Sequence, residues 1–262
     1  MIFNWVGHPS FRRDEQLLAV LYEMGIATRR QIAIVTGWTE REIDWSIKRI
    51  RKWGQNKAER DEWIRCYRLP LDKNRIGAFT LGRRGIRYVT AMVNERKPRR
   101  RESPRAQIPH TLGINEILCR LLTNGAEKES LSWLSTLECV DFLAYLYENR
   151  GLPFDLKTTI RPDARLIAGN RAYWIEYDNR TEGPRQLETK FHQYVTTLHH
   201  EKAGWMDRAP IVWVTIDEQR RAYLEKLWIA TRERFGEWPE MHFFVEGKET
   251  DFLCSEHSFL TR

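Results

Sequence analysis

Asp163, Glu176 and Lys190 are the residues whose types and spacing best fit a chemical site. Pro162-Asp163 opens an apolar run that breaks at Ala168-Gly169-Asn170. A second run follows and ends in Glu176-Tyr177-Asp178. Gly and Asn at a tight turn between two β-rich runs predict a hairpin. The pairing would bring Asp163, near the start of the first strand, towards Glu176 at the end of the second. Two carboxylates brought together repel, so at least one binds its proton more tightly unless a cation joins them. A hard divalent ion with oxygen ligands, Mg2+ or Mn2+, is the usual partner. The plainer reading keeps both acids as solvated ends of a hairpin. After a polar break at 181–184 comes a helical pattern. In it Gln186, Lys190 and Tyr194 are spaced by four and share one face, which can look back at the hairpin end.

Pro-Asp, a hairpin and then Glu resembles the PD-(D/E)XK nuclease core. Within that superfamily, Pro162-Asp163-Ala164, Glu176-Tyr177-Asp178 and Lys190-x-x-x-Tyr194 resemble the replication-relaxation proteins of bacteria and their plasmids, over roughly residues 10–215. The resemblance implies a metal held by Asp163 and Glu176. Glu116, on the first helix of such a core, is a third candidate ligand, and His110 matches the His that opens this helix in the family. One departure stands out. The usual core carries Lys two residues after the Glu, where this chain has Asp178. The resemblance allows Lys190 to supply that charge from the helix, with Asp178 assisting the acids and with Gln186 and Tyr194 orienting water or a phosphate oxygen.

The rest of the chain must supply the elements that position these groups. The 262 residues carry a formal net charge of +7, unevenly spread. Residues 1–105 hold 24 Lys and Arg against 12 Asp and Glu, whereas the remainder holds 19 against 24. A basic part joined to a slightly acidic one predicts a nucleic-acid-binding module attached to a differently charged domain. Cys66, Cys119, Cys139 and Cys254 lie far apart, with no CxxC pair and no zinc spacing. They predict reduced thiols in a cytoplasmic protein. The N-terminus is too polar for a secretory signal, and no apolar run approaches the length that spans a bilayer.

Leu17, Leu18, Leu21 and Met24 share one helical face, closed by Gly25. Thr28 caps a second helix with Ile32 and Val35 inward. Thr39, with Glu42 three residues on, opens a third as a capping box, and Ile43, Ile47 and Ile50 form its core stripe. Two helices joined by a short Gly-containing turn, the second basic, predict a helix-turn-helix. Strands at 63–71 and 77–81 follow, with a charged tip at 72–75. Leu81-Gly82-Arg83-Arg84-Gly85 then leads into another helix. This order resembles the winged-helix domain. It implies a third helix in the major groove, with Thr39, Arg41, Glu42, Trp45, Lys48 and Arg49 at its exposed face, aided by Lys52, Arg83 and Arg84. The opposing reading gives this module protein contacts or dimerisation.

Residues 95–107 form a Pro-interrupted basic run that no core can absorb, with Arg100 and Arg101 available to phosphates. The fold class expected is α/β (mixed α+β). A winged helix-turn-helix at 10–95 leads through a linker at 96–107 to a PD-(D/E)XK-like domain with a central mixed sheet at 108–250, and then a tail at 251–262. The second domain is expected to open with a helix from Pro109. Aromatic-rich residues 131–147 suggest a strand with a short excursion around 141–149. The continuous run IVWVTI at 211–216 suggests a strand buried on both faces. The function expected is a DNA-binding protein of plasmid or mobile-element replication and relaxation, acting as a metal-dependent endonuclease or nickase. Its partners are double-stranded DNA and, as an option, a second copy as homodimer, with no membrane. The rival is a catalytically inactive replication or transcription regulator that keeps the nuclease fold for architecture, and the missing Glu-x-Lys lysine favours it.

Overall fold

The computed structural model describes residues 2–71, 74–94 and 105–255. It comprises two compact units, Met1–Thr123 and Asn124–Arg262, with mixed helix and strand in both.

In the first unit, α1 (Arg13–Met24) is followed by β1 (Ile26–Thr28), α2 (Arg29–Thr36) and α3 (Glu40–Arg51). α2 and α3 begin with the same device. The hydroxyls of Thr28 and Thr39 accept the amide N–H of Gln31 and Glu42, whose side chains accept the N–H of the capping threonine in return. Two otherwise orphaned donors are satisfied at each start. Gly37 ends α2 in the left-handed region, at φ 75°. Leu17, Leu18, Leu21, Ile32, Val35, Ile43, Ile47 and Ile50 are all buried, as their spacing predicts.

A short helix, α4 (Lys57–Trp63), comes next and was not expected; the Asn56 side chain caps it by accepting from Glu59 N–H. β2 (Ile64–Leu71) and β3 (Asn74–Leu81) pair antiparallel, and β1 pairs with the other side of β3. β1 has only three residues, too short to show a period. α5 (Arg83–Met92) then packs against the end of α4. Gly82 and Gly85 permit this: a Cβ on Gly82 would lie 2.3 Å from the Asp61 carbonyl oxygen, and one on Gly85 2.5 Å from that of Trp63. Residues 72 and 73 of the expected wing tip, and Arg100 and Arg101 of the linker, lie outside the described residues.

The helix expected to open the second domain belongs to the first unit instead. α6 (Ile108–Thr123) packs on α2 and β1. Buried Asn115 donates to the carbonyls of Met24 and Ile26 at 3.2 and 2.7 Å, and Gln31 donates to the Leu112 carbonyl at 2.9 Å. A buried amide without partners is costly, so these bonds fix where the helix docks. The sequence shows that α6 has an apolar face, but not which core receives it.

The second unit is built on a five-stranded sheet. Its strands are β4 (Leu131–Ser135), β5 (Ala164–Ala168), β6 (Arg171–Asp178), β9 (Ile211–Thr215) and β10 (Met241–Val245), in the order β10-β9-β6-β5-β4. β4, β5 and β6 run antiparallel in turn, while β9 and β10 are parallel to β6, so the sheet is mixed. Residues 136–148, expected as strand with an excursion, form helix α7 (Thr136–Glu148). Ser135 and Glu138 make a capping box that outweighs the β-leaning aromatic composition. α8 (Pro184–Leu198) follows β6. A two-residue pair of strands, β7 (His199–His200) and β8 (Gly204–Trp205), then leads to β9. α9 (Glu218–Arg232) joins β9 to β10, and α10 (Glu249–Ser255) follows.

One face of the sheet carries the core with α7, α8 and α9. Trp174, Ile211 and Trp213 meet Cys139, Leu143, Leu187, Phe191, Leu198, Leu224 and Trp228 there. Large aromatic side chains dominate this layer, each removing much apolar area from water. On the other face Phe252 of α10 packs edge-on to Tyr173.

Candidate functional site

The β5–β6 hairpin forms as the Gly-Asn turn predicts. Ala168 pairs with Arg171, and Gly169 sits at φ 58° as the first of two loop residues, the arrangement of a II′ turn. Ala164 pairs with Ile175, so the next positions outward are Asp163 and Glu176. Asp163 Oδ2 accepts the Tyr177 backbone N–H at 2.9 Å, and the Asp163 carbonyl accepts from the Thr136 hydroxyl. The bond to Tyr177 turns the Asp163 carboxylate across the hairpin towards β6.

Along β6, Trp174, Glu176 and Asp178 face the helices by strand alternation. Glu176 has no exposed surface. Its Oε1 accepts from the Tyr194 hydroxyl at 2.5 Å, and its Oε2 lies 2.7 Å from the Lys190 ammonium. Oε2 has no well-directed hydrogen bond and is met by that charge instead. Lys190 also stands 3.5 Å from Glu182 and 5.2 Å from the centre of the Trp213 ring. The spacing of 186, 190 and 194 thus places a graded row on α8: Gln186 is exposed, Lys190 half-buried and Tyr194 fully buried.

Burial pushes the Glu176 carboxyl well above the usual carboxylate range; the Lys190 charge pulls it back and the Asp163 carboxylate pushes it further. Burial alone would depress Lys190, but the negative charges of Glu176, Asp163 and Glu182 together outweigh it and hold the amine above its ordinary value. Burial and the neighbouring Glu176 likewise raise the Tyr194 phenol. The ammonium at 2.7 Å opposes the rise at Glu176 by favouring the charged form of a carboxyl that has no exposed surface.

Several sequence-based roles are redrawn. Asp178 does not assist the acids: its carboxylate is held by Arg220 through bonds of 2.6 and 2.9 Å and accepts from the Thr215 hydroxyl. Gln186 accepts the Gly183 N–H and so caps α8 at the rim. Tyr194 is directed at Glu176 rather than at open space. Glu116 stands in the first unit, where Arg30 donates to it at 2.6 Å and Gln31 at 3.1 Å. His110 also belongs to that unit. Glu182 was missed because the polar break that carries it offers no period, and Arg220 because its partner is 42 residues away.

Beside Lys190 opens a cleft of about 410 Å3, lined by Lys157, Thr159, Ile160, Arg161, Gln186 and Gln193 among others. Among the described residues no group of three or more His, Cys, Asp or Glu converges as a metal site. The donor set here is two carboxylates, and Mg2+ characteristically takes one or two with waters completing its octahedron. Glu176 Oε2, the oxygen of that carboxylate not taken by Tyr194, faces the Lys190 ammonium at 2.7 Å.

In the first unit, α3 presents a different surface. Thr39 and Glu42 are engaged in the cap, and Glu42 also accepts from Arg13 at 2.7 Å. Arg49 is exposed and bound to Asp14 at 2.7 Å. Trp45 is 57% exposed, with the Arg41 guanidinium 5.6 Å from its ring centre. Lys48, Lys52, Arg83 and Arg84 are exposed.

The fold and site define a two-unit α/β protein whose second unit joins two acids and a helix-borne lysine around the central strand of a mixed sheet. The chain matches the model of the replication-relaxation family over residues 18–208, most of its length, and belongs to that family. Membership points to a DNA-related role in replication or relaxation. No curated protein and no solved structure matches the chain. No described helix is long and apolar enough to cross a membrane.

Proposed function

We propose that this protein binds DNA through its first unit and cleaves a phosphodiester bond at the Asp163–Glu176–Lys190 cluster. The observation that carries the reading is the Lys190 ammonium, 2.7 Å from Glu176 in a neighbourhood that includes Asp163. The helix thereby delivers the positive charge that Asp178 cannot. In this reading the first unit is a winged helix and the second a PD-(D/E)XK-like nuclease domain.

Asp163 and Glu176 would hold Mg2+ or Mn2+, which when bound supplies an activated water and charge neutralisation at phosphate. Lys190 stays protonated throughout, so it acts as a fixed positive charge and not as a base. It stabilises negative charge developing on the phosphate oxygens, the type of preorganised electrostatic contribution worth roughly 10²–10³ in rate. Tyr194 holds the Glu176 carboxylate in place by its hydrogen bond. On α3, Arg41, Trp45, Lys48 and Lys52 remain to meet duplex DNA, with Arg83 and Arg84 on α5. Lysine and arginine contacts to phosphates make that binding fall with salt.

Incubating supercoiled plasmid with Mn2+ and either wild type or Asp163→Ala tests the reading. Nicking by wild type that is lost in the variant supports it. A second reading, a DNA-binding protein that keeps the cluster for architecture, draws on the complete burial of Glu176 between Tyr194 and Lys190. A mobility shift without any nicking selects that one.

A further inference from the structure

The loop 151–163, between α7 and β5, has no regular strand or helix, yet it is firmly built. The Asp155 carboxylate accepts the Lys157 N–H at 2.9 Å, and the Asp155 carbonyl accepts from the Thr159 N–H at 3.0 Å and the Thr159 hydroxyl at 2.7 Å. Ile160 is buried, and its N–H donates to Thr197 of α8 at 3.1 Å. Phe154 packs edge-on to Tyr147 of α7. The loop therefore holds one shape, and that shape turns Lys157 and Arg161 into the cleft that Lys190 borders. Both are exposed, and among the described residues neither has a carboxylate partner; the Arg161 guanidinium donates only to the Leu156 carbonyl, at 3.2 Å. This sets them apart from Arg49, Arg165 and Arg220, each already bound to an acid.

Lys157, Arg161, Gln186 and Gln193 line the cleft together with Lys190 and one acid, Glu182. Glu182 is already matched by Lys190 at 3.5 Å, so the two unpaired cations leave the lining net positive and suited to a chain of anions with polar bridges. The cleft volume of about 410 Å3 falls near the lower end of the roughly 300–1,000 Å3 of pockets that take a small ligand. That space admits a stretch of one strand and not a double helix. We propose that Lys157 and Arg161 grip consecutive phosphates of a single polynucleotide strand and lay it across Lys190. The inference rests on the reading of this site as one that handles phosphodiesters, and it concerns positioning rather than the bond-breaking step. Its consequence is that duplex held by the first unit must be locally opened before one strand enters.

The test is the salt dependence of binding by the full chain in EDTA, where no cleavage occurs. A twelve-residue oligothymidylate is compared with a duplex of equal length, for wild type, Lys157→Ala/Arg161→Ala and Lys157→Glu/Arg161→Glu. Each phosphate contact on a single strand contributes about 0.7 to the slope of log affinity against log salt. The alanine pair should lower the single-strand slope by about 1.4 and leave the duplex slope unchanged, and the glutamate pair should weaken single-strand binding further. An unchanged single-strand slope overturns the inference, as does an equal drop for duplex and single strand. A strand grip without nicking by wild type would keep the inference and remove hydrolysis, so the two failures are separable.

Discussion

Glu176 and Asp178 sit two residues apart on β6, face the same helices and are both shut off from water, yet the chain uses them differently. Asp178 is closed on itself, with a bidentate arginine from α9 and a threonine hydroxyl from β9 filling its oxygens. Glu176 is held by a tyrosine and a lysine, has a second acid nearby, and lies beside a cleft. One pair staples the sheet to a helix. The other is buried too, but its lysine borders a cleft. Burial alone does not distinguish the two ion pairs; what differs is how completely the partners saturate the carboxylate and whether open space adjoins them.

The largest effect should come from breaking the closed pair. Asp178→Ala leaves Arg220 half-buried without its acid, and removing one partner of a buried pair costs about 3–5 kcal/mol. Urea unfolding would measure it, and a cost under about 1 kcal/mol would erase the contrast drawn here. Glu176→Gln should cost less, because Lys190 keeps Glu182 and some solvent. The Cys139 thiol, pushed up chiefly by burial and close enough to feel both Asp163 and Glu176, reports on the same contrast. Alkylation of Cys139 should be slow in wild type, faster in Asp178→Ala through opening of the fold, and only modestly faster in Glu176→Gln, where one of the weaker causes that raise the thiol is removed.

A subtler effect concerns pH. Lys190→Met removes the charge that opposes protonation of Glu176, leaving burial and Asp163 to raise its proton affinity further. A carboxyl whose folded pKa is raised adds stability that is complete below its unfolded value, near 4.3, and is lost as pH rises through the folded value. The variant should therefore lose stability with rising pH above that point more steeply than wild type, as pH-dependent urea midpoints would show. The smallest change expected is Tyr194→Phe, which removes one hydrogen bond to a charged group, worth about 1.5–3 kcal/mol, while leaving the ion pair intact. Calorimetry that finds this variant costlier than Asp178→Ala would reverse the order.

How much of this was legible in the sequence varies with how local the cause is. The hairpin, its Gly-Asn turn and the 186–190–194 face follow from short-range periodicity, and the structure brings Asp163, Glu176, Lys190 and Tyr194 together accordingly. The capping residues of α2 and α3 likewise announce themselves. Residues 131–147 have a β-leaning aromatic composition, but Ser135 and Glu138 within them start a helix. The choices made at long range could not be read. Glu116 pairs with Arg30 across 86 positions, Asp178 with Arg220 across 42, and α6 docks through Asn115 on the first unit. Arg49, on the exposed face of α3, is captured by Asp14 from a helix 35 residues earlier. In each case an acid or amide selects its partner in three dimensions, and no spacing rule carries that choice.

The most direct test of the central claim is Mn2+-dependent nicking of supercoiled plasmid by wild type and Lys190→Met, read alongside Mn2+ binding by each. If α8 supplies the charge that the strand lacks, nicking falls by roughly 10²–10³ while the metal still binds. Nicking by Lys190→Met at the wild-type rate, or no nicking by wild type at all, contradicts the account.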